Sequence, residues 1–262
     1  MKIQHPIKKF FFNLFLLLTV FFLNGCATTY NPATERQEFI AISTPQEVAM
    51  GQDIHQELSK EYKFSQDRAK LDQVQRIGDK LAQISDRQDY VYHFYLVDKD
   101  EMNAFTTPGG NIYFFSGLFD KLKTDDQIAS VLAHEIGHCA ARHTVKKFQA
   151  ALGYSLLGNI IFSVLALEDQ AQRVASMGTD MLMNVVFSAY SRGDELEADR
   201  LGLKYMYLGG YDLNGMIQTF EILDTESKGP DVPLILRSHP YLSDRIQQAK
   251  KEMETVKSRY GH

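Results

Sequence analysis

Apolar and polar positions change their period several times along the chain. Residues 10–23 are apolar throughout, broken only by Asn13 and Thr19. A run of about 14 residues falls short of a comfortable bilayer span and suits the apolar core of an export signal. Thr44-Pro45-Gln46-Glu47 has the order of a helix start, with a capping Thr44, Pro45 in the first turn and Glu47 three residues on. It predicts a helix to about Lys60. Apolar residues at 74, 77, 81 and 84 predict a second. Residues 90–97 are dense in aromatic and β-branched side chains and read as a strand. Residues 103–107 and 111–116 flank the turn Pro108-Gly109-Gly110, which makes a small sheet, antiparallel at that hairpin. Thr124, with acids in the next turn and Gln127 at the reciprocal position, opens a helix. Its apolar stripe is Ile128, Val131, Leu132, Ile136 and Cys139. Residues 150–167 are apolar but dotted with Gly153, Ser155, Gly158 and Asn159, a pattern for a core or lid helix, with a membrane-inserted hairpin as the alternative. A polar connection at 168–180 leads to a helix from 181 to 208, stopped by Gly209-Gly210. Two more helices are expected at 212–223 and 242–257. The fold class is α+β, mainly helical, with a small sheet beside the helix that Thr124 opens.

At 262 residues the chain suits one well-cored domain. Lys2, Lys8 and Lys9 precede the apolar run, which ends in Leu23-Asn24-Gly25-Cys26. That ending resembles the lipobox of bacterial lipoproteins, and the resemblance implies cleavage before Cys26 and lipidation of it. Residues 1–25 are then a signal peptide, 26–44 a lipidated cysteine and tether, and 45–262 the folded domain; an uncleaved anchor helix is the alternative. Either places the domain outside the cytoplasm at a membrane. Ala27 lacks the acidic character that often retains lipoproteins at the inner membrane, so the outer membrane and its periplasmic face are expected. Losing residues 1–25 removes three lysines and no acid, leaving 25 Lys+Arg against 33 Asp+Glu and a net of −8. So acidic a body argues against a nucleic-acid partner. With Cys26 modified, Cys139 is the one free thiol and reads as a core residue.

The chemistry sits in His134-Glu135-Ile136-Gly137-His138. Histidines at i and i+4 share a helix face and can reach one ion, while Glu135, rotated by about 100°, can take a proton from the attacking water. A zinc site of this kind needs a third ligand and one open position. Glu195 is the candidate, with Asp199 at i+4 able to hold one histidine by its second ring nitrogen; a solvated helix charge explains Glu195 equally well. His143, five residues beyond His138, falls about 140° away on a continuous helix and is rejected as a ligand. Residues 111–115 are also a candidate free edge for an extended substrate.

These segments, together with Asn103-Ala-Phe-x-x-Pro-Gly-Gly, Ser191-Arg-x-x-Glu195-x-Glu-Ala-Asp199 and Ser238-His-Pro-x-x-x-x-Arg245, resemble the metallopeptidase family that includes HtpX, BepA and the type I CAAX prenyl proteases. The resemblance implies a zincin-type domain with one Zn2+ per chain held by His134, His138 and Glu195. Glu135 is then the catalytic base, and Asp199 the residue for ligand support or proton return. His239 becomes a loop histidine that gates the site or serves as fourth ligand, and Arg245 pairs with a carboxylate near the site or at the surface. It further implies an endopeptidase acting on misfolded outer-membrane or envelope proteins. Two rivals stand beside it: a latent zinc-binding, chaperone-like lipoprotein, and a membrane-embedded protease, which the lack of about 20 clean apolar residues after Cys26 disfavours. Oligomeric state and cleavage preference are not encoded in any motif.

Overall fold

The computed structural model describes residues 28–159 and 179–261. The lipobox at Cys26 and residues 160–167 of the expected lid lie outside the described residues.

A three-stranded sheet of β3 (His93–Val97), β4 (Ala104–Thr107) and β5 (Asn111–Phe115) runs in the order β3-β5-β4. β4 and β5 are antiparallel, with Ala104 opposite Phe114, as the turn residues predict. β3 lies on the other side of β5 and is parallel to it, His93 opposite Asn111. Asn111–Phe115 is therefore the central strand and not the free edge expected; the outer strand on that side is β4, whose residues are all buried. The cause is composition: Ile112 and Phe114 face one core while Tyr113 and Phe115 face the other, all buried, and a strand apolar on both faces belongs inside a sheet.

Helices cover both faces. On one side lie α1 (Thr44–Glu61) through Met50, Ile54 and Leu58, α5 (His143–Asn159) through Val145 and Phe148, and α6 (Thr179–Phe187) through Leu182 and Val186. The opposite face packs on α2 (Arg68–Ala82) through Val74, Ile77 and Leu81 and on α4 (Asp125–Ala140). The short α3 (Ser116–Lys121) joins β5 to α4. Behind α4 lie α7 (Arg192–Leu208), α8 (Asn214–Ser227), the single turn α9 (Ile235–Ser238) and α10 (Leu242–Tyr260). No helix among the described residues is long and apolar enough to cross a membrane.

Several expectations are corrected. The expected tether is folded from Thr28 on: β1 (Thr28–Asn31) and β2 (Arg36–Phe39) form an antiparallel hairpin. It is held by long-range polar contacts that its own sequence does not announce, such as Asn31 Nδ2 donating to the Ala140 carbonyl at 3.1 Å, and Ile40 and Ile42 behind it are buried. The first long helix is capped one residue early, the Ser43 N–H donating to Gln46 Oε1 at 2.9 Å. Glu47 instead points inward to Arg87. The single helix expected over 181–208 is two, because Ser191 and Asp194 form a capping box that starts α7 afresh.

Candidate metal centre

α4 begins as predicted, Thr124 Oγ1 accepting from the Gln127 N–H at 3.2 Å. Every residue from Gln127 to Ala140 is buried. It crosses α7 at close range, and two glycines permit this. A Cβ on Gly137 would stand 2.7 Å from the Ala198 carbonyl oxygen, and one on Gly202 would stand 3.2 Å from the His134 backbone nitrogen. The crossing lays Glu195 and Asp199 of α7 over His134 and His138 of α4.

His134, His138, Glu195 and His239 present ligand-type atoms all within 4.8 Å of one another, and all four residues are buried. His134 Nε2 lies 3.0 Å from His138 Nε2. His138 Nε2 is 3.3 Å from Glu195 Oε1. His239 Nδ1 is 3.0 Å from Glu195 Oε1 and 3.3 Å from His134 Nε2. Glu135 is fully buried, its two carboxylate oxygens without a hydrogen-bond partner, and His239 Nε2 approaches it at 3.6 Å. Converging imidazole and carboxylate donors beside orphaned buried carboxylate oxygens are what a divalent cation with a water-handling base requires. The donor set therefore fits the implied metal.

The surrounding groups set the charges. His134 Nδ1 faces Asp199 Oδ1 at 2.8 Å. Arg245, from α10, grips both Asp199 oxygens at 2.8 and 2.7 Å and Glu195 Oε2 at 2.7 Å. Burial alone would raise the Glu195 carboxyl, but Arg245 and His239 outweigh it and hold it well below the usual range. Asp199 follows the same pattern through Arg245 and His134, which keeps it ionised. Burial pushes the Glu135 carboxyl above its usual value, and His138 far below its own. His239 gains from Glu195 and Glu135 more than burial takes, so its pKa is raised.

The structure thus gathers His134, Glu135, His138, Glu195, Asp199, His239 and Arg245 at one point. It also brings in Tyr190, which the sequence does not single out, and His143, which the helical wheel turned away. The ring of Tyr190 stacks on His138 at 3.9 Å between centroids. His143, expected to face elsewhere, places Nδ1 2.9 Å from His138 Nδ1. The helical-wheel argument fails because the helix does not continue: α4 ends at Ala140, Arg142 takes a left-handed φ of 57°, and α5 starts at His143. Ala140-Ala141-Arg142 contains no Gly or Pro to signal that break. For Tyr190, the Ser-Arg cap directly after it was the available signal that the chain turns there.

The family model of peptidase family M48 matches residues 68–253. The beta-barrel assembly-enhancing protease of Yersinia pestis is 28% identical over 223 residues, covering 82% of this chain and 46% of that protein. The mitochondrial metalloendopeptidase OMA1 of Schizosaccharomyces pombe is 28% identical over 227 residues, covering 85% of this chain and 65% of that protein. OMA1 of Saccharomyces cerevisiae is 32% identical over 159 residues, 57% of this chain and 43% of that protein. The chain spans under half the length of the bacterial relative it matches.

Proposed function

The chain belongs to peptidase family M48, and from that premise we propose that it is a zinc-dependent endopeptidase, anchored by a lipid on Cys26 at the periplasmic face of the outer membrane, as its Ala27 favours, that cleaves unfolded or misfolded envelope polypeptides. The observation that carries the reading is the convergence of His134, His138 and Glu195 beside the unpaired, buried Glu135. The substrate class follows the name of the bacterial relative, a beta-barrel assembly-enhancing protease.

Zinc, held by His134, His138 and Glu195, would supply Lewis-acid polarisation of the scissile carbonyl. Glu135, its affinity for a proton raised by burial, takes the proton of the attacking water and returns it to the leaving amine. Asp199, with both oxygens on Arg245 and one on His134, orients the ligand and is not the proton donor. His239 stands in the fourth place and closes the resting site, so opening needs the strap from Ile235 to Tyr241 to move. β4 is the outer strand on which an extended substrate would pair: Asn103 accepts from the Phe115 N–H, so Ala104 and Thr106 turn their main-chain groups away from β5, and because both are buried here the pairing requires the site to open. The occupied fourth place also favours a second reading, a latent zinc protein with little proteolysis.

The test is incubation of β-casein and a urea-unfolded outer-membrane protein with the full chain and with Glu135→Gln, beside metal analysis of both and of Glu195→Gln. Cleavage that Glu135→Gln reduces by about 10²–10⁴ supports the assignment. Equal cleavage by both removes Glu135 from its role, and none by either with zinc bound favours the latent reading.

A further inference from the structure

We propose that His143 and Glu197 form a two-residue support for the ligand His138, completed by Arg36 from the N-terminal hairpin. The inference rests on the metallopeptidase reading and concerns residues outside the ligand set.

The two histidines of the motif are held differently. His134 meets a carboxylate directly, Nδ1 to Asp199 Oδ1 at 2.8 Å. His138 has none within reach of its Nδ1; that nitrogen meets His143 Nδ1 at 2.9 Å. Two Nδ1 atoms at this distance share one proton, so one ring must donate and the other accept. If His138 offers Nε2 to the metal, its proton stays on Nδ1 and His143 accepts it. His143 is thereby fixed as the neutral tautomer with its proton on Nε2. That second nitrogen points to Glu197 Oε2 at 3.3 Å, with Asp194 Oδ1 at 3.5 Å. His143 is 2% exposed, so no bulk water replaces these partners. Glu197 is in turn gripped by Arg36 Nη2, 2.8 and 2.7 Å from its two oxygens. Tyr190 closes the open face of the His138 ring, its hydroxyl tied to Thr144 at 3.0 Å.

The chain of contacts thus runs from the metal position through His138, His143 and Glu197 to Arg36, which lies outside the stretch matched by the family model. The hairpin becomes part of the site's scaffold. α7 supplies three carboxylates to one centre: Glu195 as ligand, Asp199 behind His134, and Glu197 behind His138 by way of His143.

Partners behind a ligating histidine contribute typically 10–100-fold to metal affinity. Zinc affinity of the full chain, measured by competition with a chromophoric chelator, is expected to fall about 10–100-fold for His143→Ala. Glu197→Ala should approach that value, and Arg36→Ala should lose a smaller factor, about 2–5-fold, since its pair is partly exposed. The decisive quantity is non-additivity: His143→Ala with Glu197→Ala should cost no more than His143→Ala alone. In the Co2+-loaded protein the visible d–d bands should shift in His143→Ala, a signature that a loss of packing elsewhere would not produce. Where His143→Ala does not fold, His143→Asn and Glu197→Gln, which keep size and hydrogen bonding, carry the same affinity test. Wild-type affinity with an unchanged cobalt spectrum in these variants, or strictly additive losses, overturns the inference. Wild-type protein that binds no zinc overturns the metal reading itself, whereas zinc lost in Glu195→Gln but kept in His143→Ala overturns this inference alone.

Discussion

Glu47 offers the sharpest test of the packing. Its carboxylate is 2% exposed and paired with Arg87, also buried, at 3.0 and 2.6 Å. It also accepts from the Gly109 N–H at 3.3 Å. Glu47→Ala strands a guanidinium in the interior, a change that costs about 3–5 kcal/mol when a buried pair is broken. Here Arg87 retains Asp89, whose side chain is 44% exposed, and the Tyr90 ring 4.3 Å away, which favours the lower end, about 3 kcal/mol. The orphaned Gly109 N–H adds about 1 kcal/mol. A total near 4 kcal/mol corresponds to a fall in Tm of roughly 8–16 °C for a domain of this size. The assay is thermal and urea unfolding of the metal-free protein, so that ligand binding does not enter the balance. The double replacement Glu47→Leu with Arg87→Met should recover most of the loss, because both charges then leave the interior. A loss under 1 kcal/mol for Glu47→Ala, or a double variant as damaged as the sum of the singles, would refute the argument.

Two further outcomes follow from burial. Cys139 is buried with Thr106 Oγ1 2.8 Å from its sulfur, and burial pushes its thiol up to about 12. In Cys26→Ser protein at pH 8 a thiol reagent should therefore label nothing until denaturant is added, and rapid native labelling would contradict the packing. Lys147 lies 3.9 Å over the Tyr190 ring, and burial lowers it from 10.5 to about 8, against the opposing pull of Glu195 and Glu135. Between pH 8 and 10.5 the unfolded chain holds this proton more firmly than the folded one, so its contribution to stability rises with pH across that window; below pH 8 the cost of burying the charge is fully present. Lys147→Met should remove that rise from the urea midpoints, and an unchanged slope would exclude Lys147 as its source.

The helices were legible where a 3.6-residue period ran, with a cap to place its start at Thr124 and without one in the apolar residues 74, 77 and 81. The His134, His138 pair was legible from spacing alone, because one helix turn fixes it. Glu195 was not: its acidic neighbourhood reads as a solvated face until the close crossing at Gly137 and Gly202 turns it inward. The pairing of β3 with β5 depends on which strand is buried on both faces, a property of the assembled core. The hairpin at Thr28–Phe39 escaped for a related reason. Its strands are polar apart from the exposed Tyr30 and Phe39, and its anchors, Ala140, Glu197, Arg200 and Arg259, lie more than 100 residues away. Glu47 was misread because a capping pattern fits Ser43 and Gln46 as well as Thr44 and Glu47, and only Arg87 decides between them.

That hairpin also sets a length. Residues 26–44 as loose chain would give a leash of roughly 60 Å, enough for the domain to search a wide zone around its proposed anchor. With strand structure beginning at Thr28, a lipid on Cys26 leaves only two links, about 7 Å, before the first paired residue. Under the proposed anchoring the domain would be moored rather than leashed, and its attitude to the bilayer would be set by the hairpin's face, where Tyr30 and Phe39 stand exposed.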